Sequence, residues 1–95
     1  MIVTVLVGSA SGLHARAAAR VAAVAASCQS PVWVRRDDGK PVPADSVLSL
    51  LTLAAPYGTE LVLESSSVVD LSLVAQAIAA HDGFVASDGL GGVDG

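Results

Sequence analysis

The chain has 95 residues, of which 53% are hydrophobic and 15% charged, and this is the composition of one globular domain around one core. One Trp, one Tyr and one Phe beside five basic residues form neither a stacking platform nor a broad basic surface, which excludes nucleic-acid binding. A single cysteine and two histidines far apart in sequence exclude an internal disulfide and a clustered metal site, so we expect no metal and no cofactor.

The net charge of −4 is unevenly distributed along the chain. Residues 1–36 hold four arginines and no acidic residue, whereas residues 37–95 hold Lys40 and all nine carboxylates. The N-terminal part should therefore attract an anionic ligand or an acidic partner. The apolar run "MIVTVLV" is too short to span a bilayer and lacks a cationic flank, so we expect a cytoplasmic protein without membrane insertion. We also expect a monomer.

The first half of the chain predicts a strand, a helix and a hairpin. The β-branched "IVTVLV" predicts a strand over 2–7, and the alanine-rich "HARAAARVAAVAAS" predicts a helix over 14–27. Four alanines fall on one stripe of this helix: Ala15, Ala18, Ala22 and Ala25. Strands over 31–36 and 41–44 follow, separated by the turn residues "DDGK". The tip of this hairpin is expected to be solvated and to carry Arg35, Arg36, Asp37 and Asp38.

The second half predicts a short helix, a strand and a longer helix. The segment "DSVLSLLTLAA" predicts a helix over 45–55, and "ELVLE" predicts a strand over 60–64 whose leucines face one way. The last helix, over 66–81, begins at a capping-box-like Ser67 and has apolar positions 71, 74 and 78 on one face.

The order βαββαβα with alternating polar faces predicts an α+β fold, an open-faced sandwich of a four-stranded antiparallel sheet covered on one face by three helices. The domain is expected to span residues 1–82. Residues 83–95, "GFVASDGLGGVDG", are glycine-rich without periodicity and predict a flexible C-terminal tail.

His14 lies where the first helix begins, directly after "SASGL". At a helix mouth the backbone N–H groups of Ala15 and Arg16 are expected to be unpaired and to carry the positive end of the helix dipole. This field disfavours an imidazolium, so we expect a neutral, nucleophilic His14. A phosphoryl group on a ring nitrogen would meet these amides, the Arg16 guanidinium and a backbone that Gly12 lets come close.

The segment "GLHARAAA" after a strand, with "ADSVLSLLTLAAPYGTELVLE" downstream, resembles the HPr family, the histidine phosphocarriers of the bacterial sugar phosphotransferase system. The resemblance covers roughly residues 2–82. It implies that His14 accepts a phosphoryl group from phosphorylated enzyme I and passes it to enzyme IIA domains for sugar uptake. Arg16 is then the stabilising cation, and the chain is a phosphoryl-transfer intermediate rather than a stand-alone enzyme.

The resemblance also assigns roles to the second helix. Ser46, which the sequence predicts as the N-cap of that helix, matches the serine that a regulatory kinase, HPr kinase, modifies in some family members. Val47, Leu48 and Leu51 match the family's exposed docking patch, although the same run could also be core. We expect acidic groups of a partner to meet Arg16 and Arg20 at the margin of this patch.

Ala17 departs from the family pattern, which has proline after the arginine. The departure fits a diverged relative, such as a module that serves a phosphotransferase-dependent dihydroxyacetone kinase. A regulatory binding module that takes no phosphoryl group is the alternative from another class. Other interpretations rest on less: a lone histidine at a helix start is often only a cap, and His81 adds a favourable charge at a helix C-terminus.

Overall fold

The computed structural model describes residues 1–81, and the predicted tail at 83–95 lies outside these described residues. The described part forms four strands and three helices in the predicted order. They are β1 (Ile2–Leu6), α1 (Ala15–Ala26), β2 (Trp33–Arg36), β3 (Val42–Pro43), α2 (Val47–Thr52), β4 (Glu60–Glu64) and α3 (Val68–Ala79).

The four strands form one antiparallel sheet in the order β1-β4-β2-β3. Leu63 of β4 lies between Val3 of β1 and Val34 of β2. The strand that the chain makes last is therefore central, and β1 lies at an edge. This arrangement confirms the predicted open-faced sandwich.

The core lies between one face of the sheet and the helices. Leu61, Leu63 and Val34 point into it and are fully buried, as the alternation in the strands predicts. On α3 the predicted apolar positions 71, 74 and 78 are also buried. The opposite face of the sheet carries exposed apolar side chains, which are Ile2, Leu6 and Trp33.

The predicted alanine stripe of α1 is partly wrong. Ala18, Ala22 and Ala25 are buried, but Ala15 is exposed, and Ala17 and Val21 complete the buried set. The 3.6-residue period centres the buried stripe near Ala18 and Val21, and Ala15 lies beyond its margin. Each helix begins one residue after a capping residue, which explains why the helices start later than predicted. The second helix also ends earlier than predicted, at Thr52, because Leu53 is its C-cap and Ala54 has a positive φ.

None of the three helices within residues 1–81 is both long and apolar enough to cross a membrane.

Candidate functional site

The loop between β1 and α1 packs against the chain that follows α2. Gly12 has φ +80°, and a Cβ at this position would lie 2.8 Å from the Ala55 carbonyl oxygen and 3.0 Å from Pro56 Cα. The Leu13 amide donates to the same Ala55 oxygen at 2.8 Å. Glycine is needed at Gly12 both for its left-handed backbone and for this close approach. The loop that ends at His14 is thus fixed by the segment at 55–56.

His14 is the N-cap residue of α1, as predicted, with extended backbone angles. Its Nδ1 atom accepts a hydrogen bond from the Arg16 amide at 3.2 Å. The expectation that the Arg16 amide is unpaired is therefore wrong, because the imidazole itself caps the helix. An accepting Nδ1 carries no proton, so the nitrogen at the positive end of α1 is the one with a lone pair.

A shallow notch of about 230 Å³ adjoins His14. Its other lining residues come from the histidine loop and from the chain after α2, and they are Ser11, Leu13, Ala54, Ala55 and Pro56. His14 is half-buried, whereas Ala15 and Arg16 are exposed on the first turn of α1. The ring is thus held on one side by protein and is open to a partner on the other.

Arg36 does not lie at a solvated hairpin tip, and that expectation is wrong. Its Nη1 atom donates to the carbonyl oxygens of Leu53 and Ala54, both at 3.0 Å. Leu53 is the C-cap of α2, and Ala54 has φ +49°. The guanidinium therefore satisfies carbonyl groups that the end of a helix leaves without a partner. The sequence indicates this contact only by placing a cation on the side of β2 that faces the helices.

The predicted docking residues differ in exposure. Ser46 caps α2, because its Oγ atom accepts from the Ser49 amide at 3.2 Å, and this confirms its structural role. Leu48 is 78% exposed. Val47 and Leu51 are half-buried and pack against the core. Leu48 is therefore the most exposed side chain of this set.

Arg20 lies on the side of α1 that faces α3. It lines a groove of about 510 Å³ together with Leu73, Ala77 and His81. Its Nε and Nη2 atoms are buried and have no hydrogen-bond partner among the described residues. Arg20 is thus placed toward α3 rather than at the α2 patch, where it was expected.

Cys28 serves packing near the end of α1. Its Sγ atom donates to the Val24 carbonyl oxygen at 3.4 Å. Burial, and then the nearby Asp70 carboxylate, raise the pKa of the Cys28 thiol above its ordinary value. A raised pKa lowers the thiolate fraction, so this thiol is poorly suited to nucleophilic chemistry. Within residues 1–81, no three His, Cys, Asp or Glu side chains are grouped closely enough to hold a metal ion.

A family model described as "PTS HPr component phosphorylation site" matches residues 3–80, and these include the histidine loop, all three helices and most of the sheet. The chain belongs to the HPr family. HPr proteins are components of the phosphotransferase system, and the matched description is that of their phosphorylation site.

Relatives named HPr agree in sequence and in fold. The phosphocarrier protein HPr of Streptomyces coelicolor is 44% identical over 61 residues, which are 64% of this chain and 66% of that protein. The crystal structure of the phosphocarrier protein HPr from Bacillus anthracis superposes with a TM-score of 0.75 at 25% identity, covering 82% of this chain and 95% of that one. HPr-C-His from Thermoanaerobacter tengcongensis gives a TM-score of 0.72 at 27% identity, covering 82% and 90%.

Proposed function

We propose that the chain is a phosphocarrier whose His14 accepts a phosphoryl group from phosphorylated enzyme I and passes it to enzyme IIA domains for sugar uptake. The observation that carries this proposal is the position of His14 Nδ1 at the N-terminus of α1, 3.2 Å from the Arg16 amide. The family's phosphorylation-site description, matched over residues 3–80, supports the same assignment. The cytoplasmic location expected from the sequence belongs to this proposal.

The acceptor in the transfer is the Nδ1 lone pair. In the tautomer that accepts from the Arg16 amide, the ring proton is on Nε2. Nδ1 attacks the phosphorus atom, the bond between phosphorus and the donor's leaving atom breaks, and the electron pair of that bond returns to the donor. The Arg16 N–H donates to Nδ1 before the transfer, and after the transfer it donates to a phosphoryl oxygen.

The first turn of α1 compensates the charge of the phosphoryl group. The Ala15 and Arg16 amides lie at the positive end of a 12-residue helix, where an anion is stabilised. The exposed Arg16 side chain adds a guanidinium that can donate two charge-assisted hydrogen bonds. Gly12 keeps the adjoining backbone free of a side chain. None of these contacts is covalent, so they break when the phosphoryl group passes to the next protein.

Partners dock across α2 in this proposal. Leu48 supplies the exposed apolar contact, and Val47 and Leu51 supply its half-buried base. Acidic groups of enzyme I or an enzyme IIA domain pair with Arg16, while Arg20 lies on the α3 side of α1 with its Nε and Nη2 atoms buried. Ser46, at the start of the same helix, is the residue that an HPr kinase would modify.

Ala17 favours one second candidate, a diverged carrier that serves a phosphotransferase-dependent dihydroxyacetone kinase. Ala17 is the third residue of α1, where an amide N–H points toward the helix mouth and proline would remove it. The chemistry at His14 is the same in both candidates, and only the acceptor protein differs. A purified kinase module and an enzyme IIA domain, offered the phosphorylated chain in parallel, distinguish them by which one removes the label.

The decisive experiment is incubation of the chain with enzyme I and phosphoenolpyruvate, followed by intact-mass measurement. We expect the mass of one added phosphoryl group, stable in base and lost in acid or on heating. His14→Ala is expected to remain unmodified, and His81→Ala serves as the matched control that keeps the label. An unmodified parent chain beside an active HPr control would contradict the carrier and leave a regulatory binding module.

A further inference from the structure

Arg36 connects the sheet to the segment that supports the candidate site. It lies at the end of β2, pairs with Leu61 of β4, and is half-buried. Its Nη1 atom donates to the carbonyl oxygens of Leu53 and Ala54 at 3.0 Å each. One charged group thus bridges two consecutive carbonyls at the C-terminus of α2. Hydrogen bonds from a charged donor are about twice as strong as neutral ones.

The turn that Arg36 holds is one that its own sequence disfavours. Ala54 has φ +49°, a left-handed conformation in which a Cβ crowds the following carbonyl group. Glycine would adopt it without cost, whereas alanine needs contacts from elsewhere to stay there. The Arg36 guanidinium supplies two such contacts on the carbonyl side.

Ala55, which follows this turn, contacts the histidine loop. The Ala55 oxygen accepts the Leu13 amide at 2.8 Å, and Gly12 packs against the same oxygen. Leu13 immediately precedes His14, and Ala54 and Ala55 line the notch beside the ring. A shift of the Ala55 carbonyl would therefore move the N-cap residue of α1 relative to its own helix.

We infer that Arg36 is a positioning residue for His14: through the Leu53–Ala55 turn it fixes the placement of the imidazole for phosphoryl transfer. This inference rests on the proposed function for its kinetic consequence, whereas its structural part stands on the contacts alone. Arg36 lies outside the α2 surface on which partners are proposed to dock. Its removal should consequently slow the transfer step without weakening the encounter.

Arg36→Met is the variant to make, because methionine keeps an aliphatic stem and removes every donor. Arg35→Met is the matched control, because it removes the same charge from the neighbouring position of β2. The Arg35 side chain faces the opposite side of the sheet. Arg36→Lys is the rescue variant, because an ammonium group retains donors for the two carbonyls.

Two measurements test the inference on folded protein, below the thermal midpoint of every variant. Single-turnover transfer from phosphorylated enzyme I, followed over a concentration series, separates the maximal rate from the half-saturating concentration. Arg36→Met should lower the maximal rate about tenfold, as expected for a displaced reacting group, and leave the half-saturating concentration unchanged. Arg35→Met should match the parent, and Arg36→Lys should recover most of the rate.

Amide hydrogen exchange and the NMR shifts of the His14 ring provide a readout that needs no phosphotransfer. The Leu13 amide should exchange faster in Arg36→Met, with altered ring shifts, while the Leu63 amide in the central strand stays protected as in the parent. Equal behaviour of Arg36→Met and Arg35→Met in both measurements overturns the inference. If the parent chain takes no phosphoryl group, the carrier function fails, and the exchange and ring shifts still decide whether Arg36 positions His14.

Discussion

The starts of α1 and α2 use the same position of a helix for two different purposes. Ser46 closes α2 with an oxygen that accepts the amide of the third helical residue, Ser49. Ser67 does the same for α3 through the Asp70 amide. His14 closes α1 with a ring nitrogen that accepts the amide of the second helical residue, Arg16. A hydroxyl cap is a weak nucleophile unless a base activates it, whereas an imidazole cap keeps a nucleophilic lone pair at the positive end of the helix dipole.

In the proposed carrier, this difference makes one of the two capping positions reactive. The backbone supplies the anion-stabilising amides at every helix start, and the capping residue decides how readily an anion becomes covalently attached there. The surroundings also differ. His14 adjoins a notch and an exposed arginine, whereas Ser46 adjoins the exposed Leu48. One helix start is thus suited to chemistry and the other to contact with a partner.

The largest expected effect comes from replacing the α1 cap with alanine, with the α2 cap replaced in a separate variant for comparison. His14→Ala should abolish acid-labile phosphorylation, while Ser46→Ala should retain it fully. Each variant should lose about 1 kcal/mol of stability, the usual cost of removing an N-cap. Intact mass and thermal unfolding measure the two quantities. Phosphorylation of His14→Ala at the parental level would show that the α1 cap is as purely structural as the α2 cap.

Truncation of Leu48 should have the next largest effect. Leu48→Ala removes the side chain that is 78% exposed beside the Ser46 cap and should weaken docking of enzyme I by about 1–2 kcal/mol, or five- to thirtyfold in half-saturating concentration. Stability should change by less than about 0.5 kcal/mol because the side chain makes few internal contacts.

Val69→Ala is the matched control for Leu48→Ala. Val69 is 67% exposed at the start of α3, so its truncation tests exposed apolar area at a third helix start. Its transfer kinetics should equal those of the parent. Equal losses in the two variants would mean that docking does not distinguish α2 from α3.

A negative charge at the α2 cap should have a smaller effect. Ser46→Asp places a carboxylate where a partner's acidic groups approach, which should raise the half-saturating concentration of enzyme I about fivefold. The fold should tolerate it, since aspartate is a good N-cap and complements the helix dipole. Ser67→Asp makes the same change at α3 and should leave transfer unaltered. A parental rate and affinity in Ser46→Asp would place Ser46 outside the interface.

The smallest expected effect concerns the first turn of α1. Ala17→Pro fixes φ in a residue that is 1% exposed and should stabilise the fold by up to about 1 kcal/mol if the amide has no partner and the ring has room. Thermal unfolding measures the change. A marked destabilisation would show that α1 needs the Ala17 N–H or the space that a proline ring would occupy. The first turn of α1 would then not tolerate proline.

Local patterns made much of this structure predictable. Alternation gave β4 its observed bounds, and the capping roles of His14, Ser46 and Ser67 follow from a polar residue before an apolar helical run. Contacts between distant segments were not predictable. The carbonyl groups that Arg36 contacts are within its reach only because α2 ends near β2. Asp70 likewise accepts a hydrogen bond from the Ser30 amide, at 2.9 Å, from a distant part of the chain. The orientation of the His14 ring toward the Arg16 amide likewise depends on a rotamer that no spacing of residues encodes.

The pairing of β1 with β4 sets an order for biosynthesis. Ile2 lies in register opposite Glu64, so β1 is synthesised long before the strand with which it pairs. At 5–20 residues per second, the intervening chain takes roughly 3 to 12 seconds to synthesise. During that interval "IVTVL" is an apolar segment without its partner strand, while α1 is translated. The sheet of this protein is therefore completed late, after translation of its histidine loop.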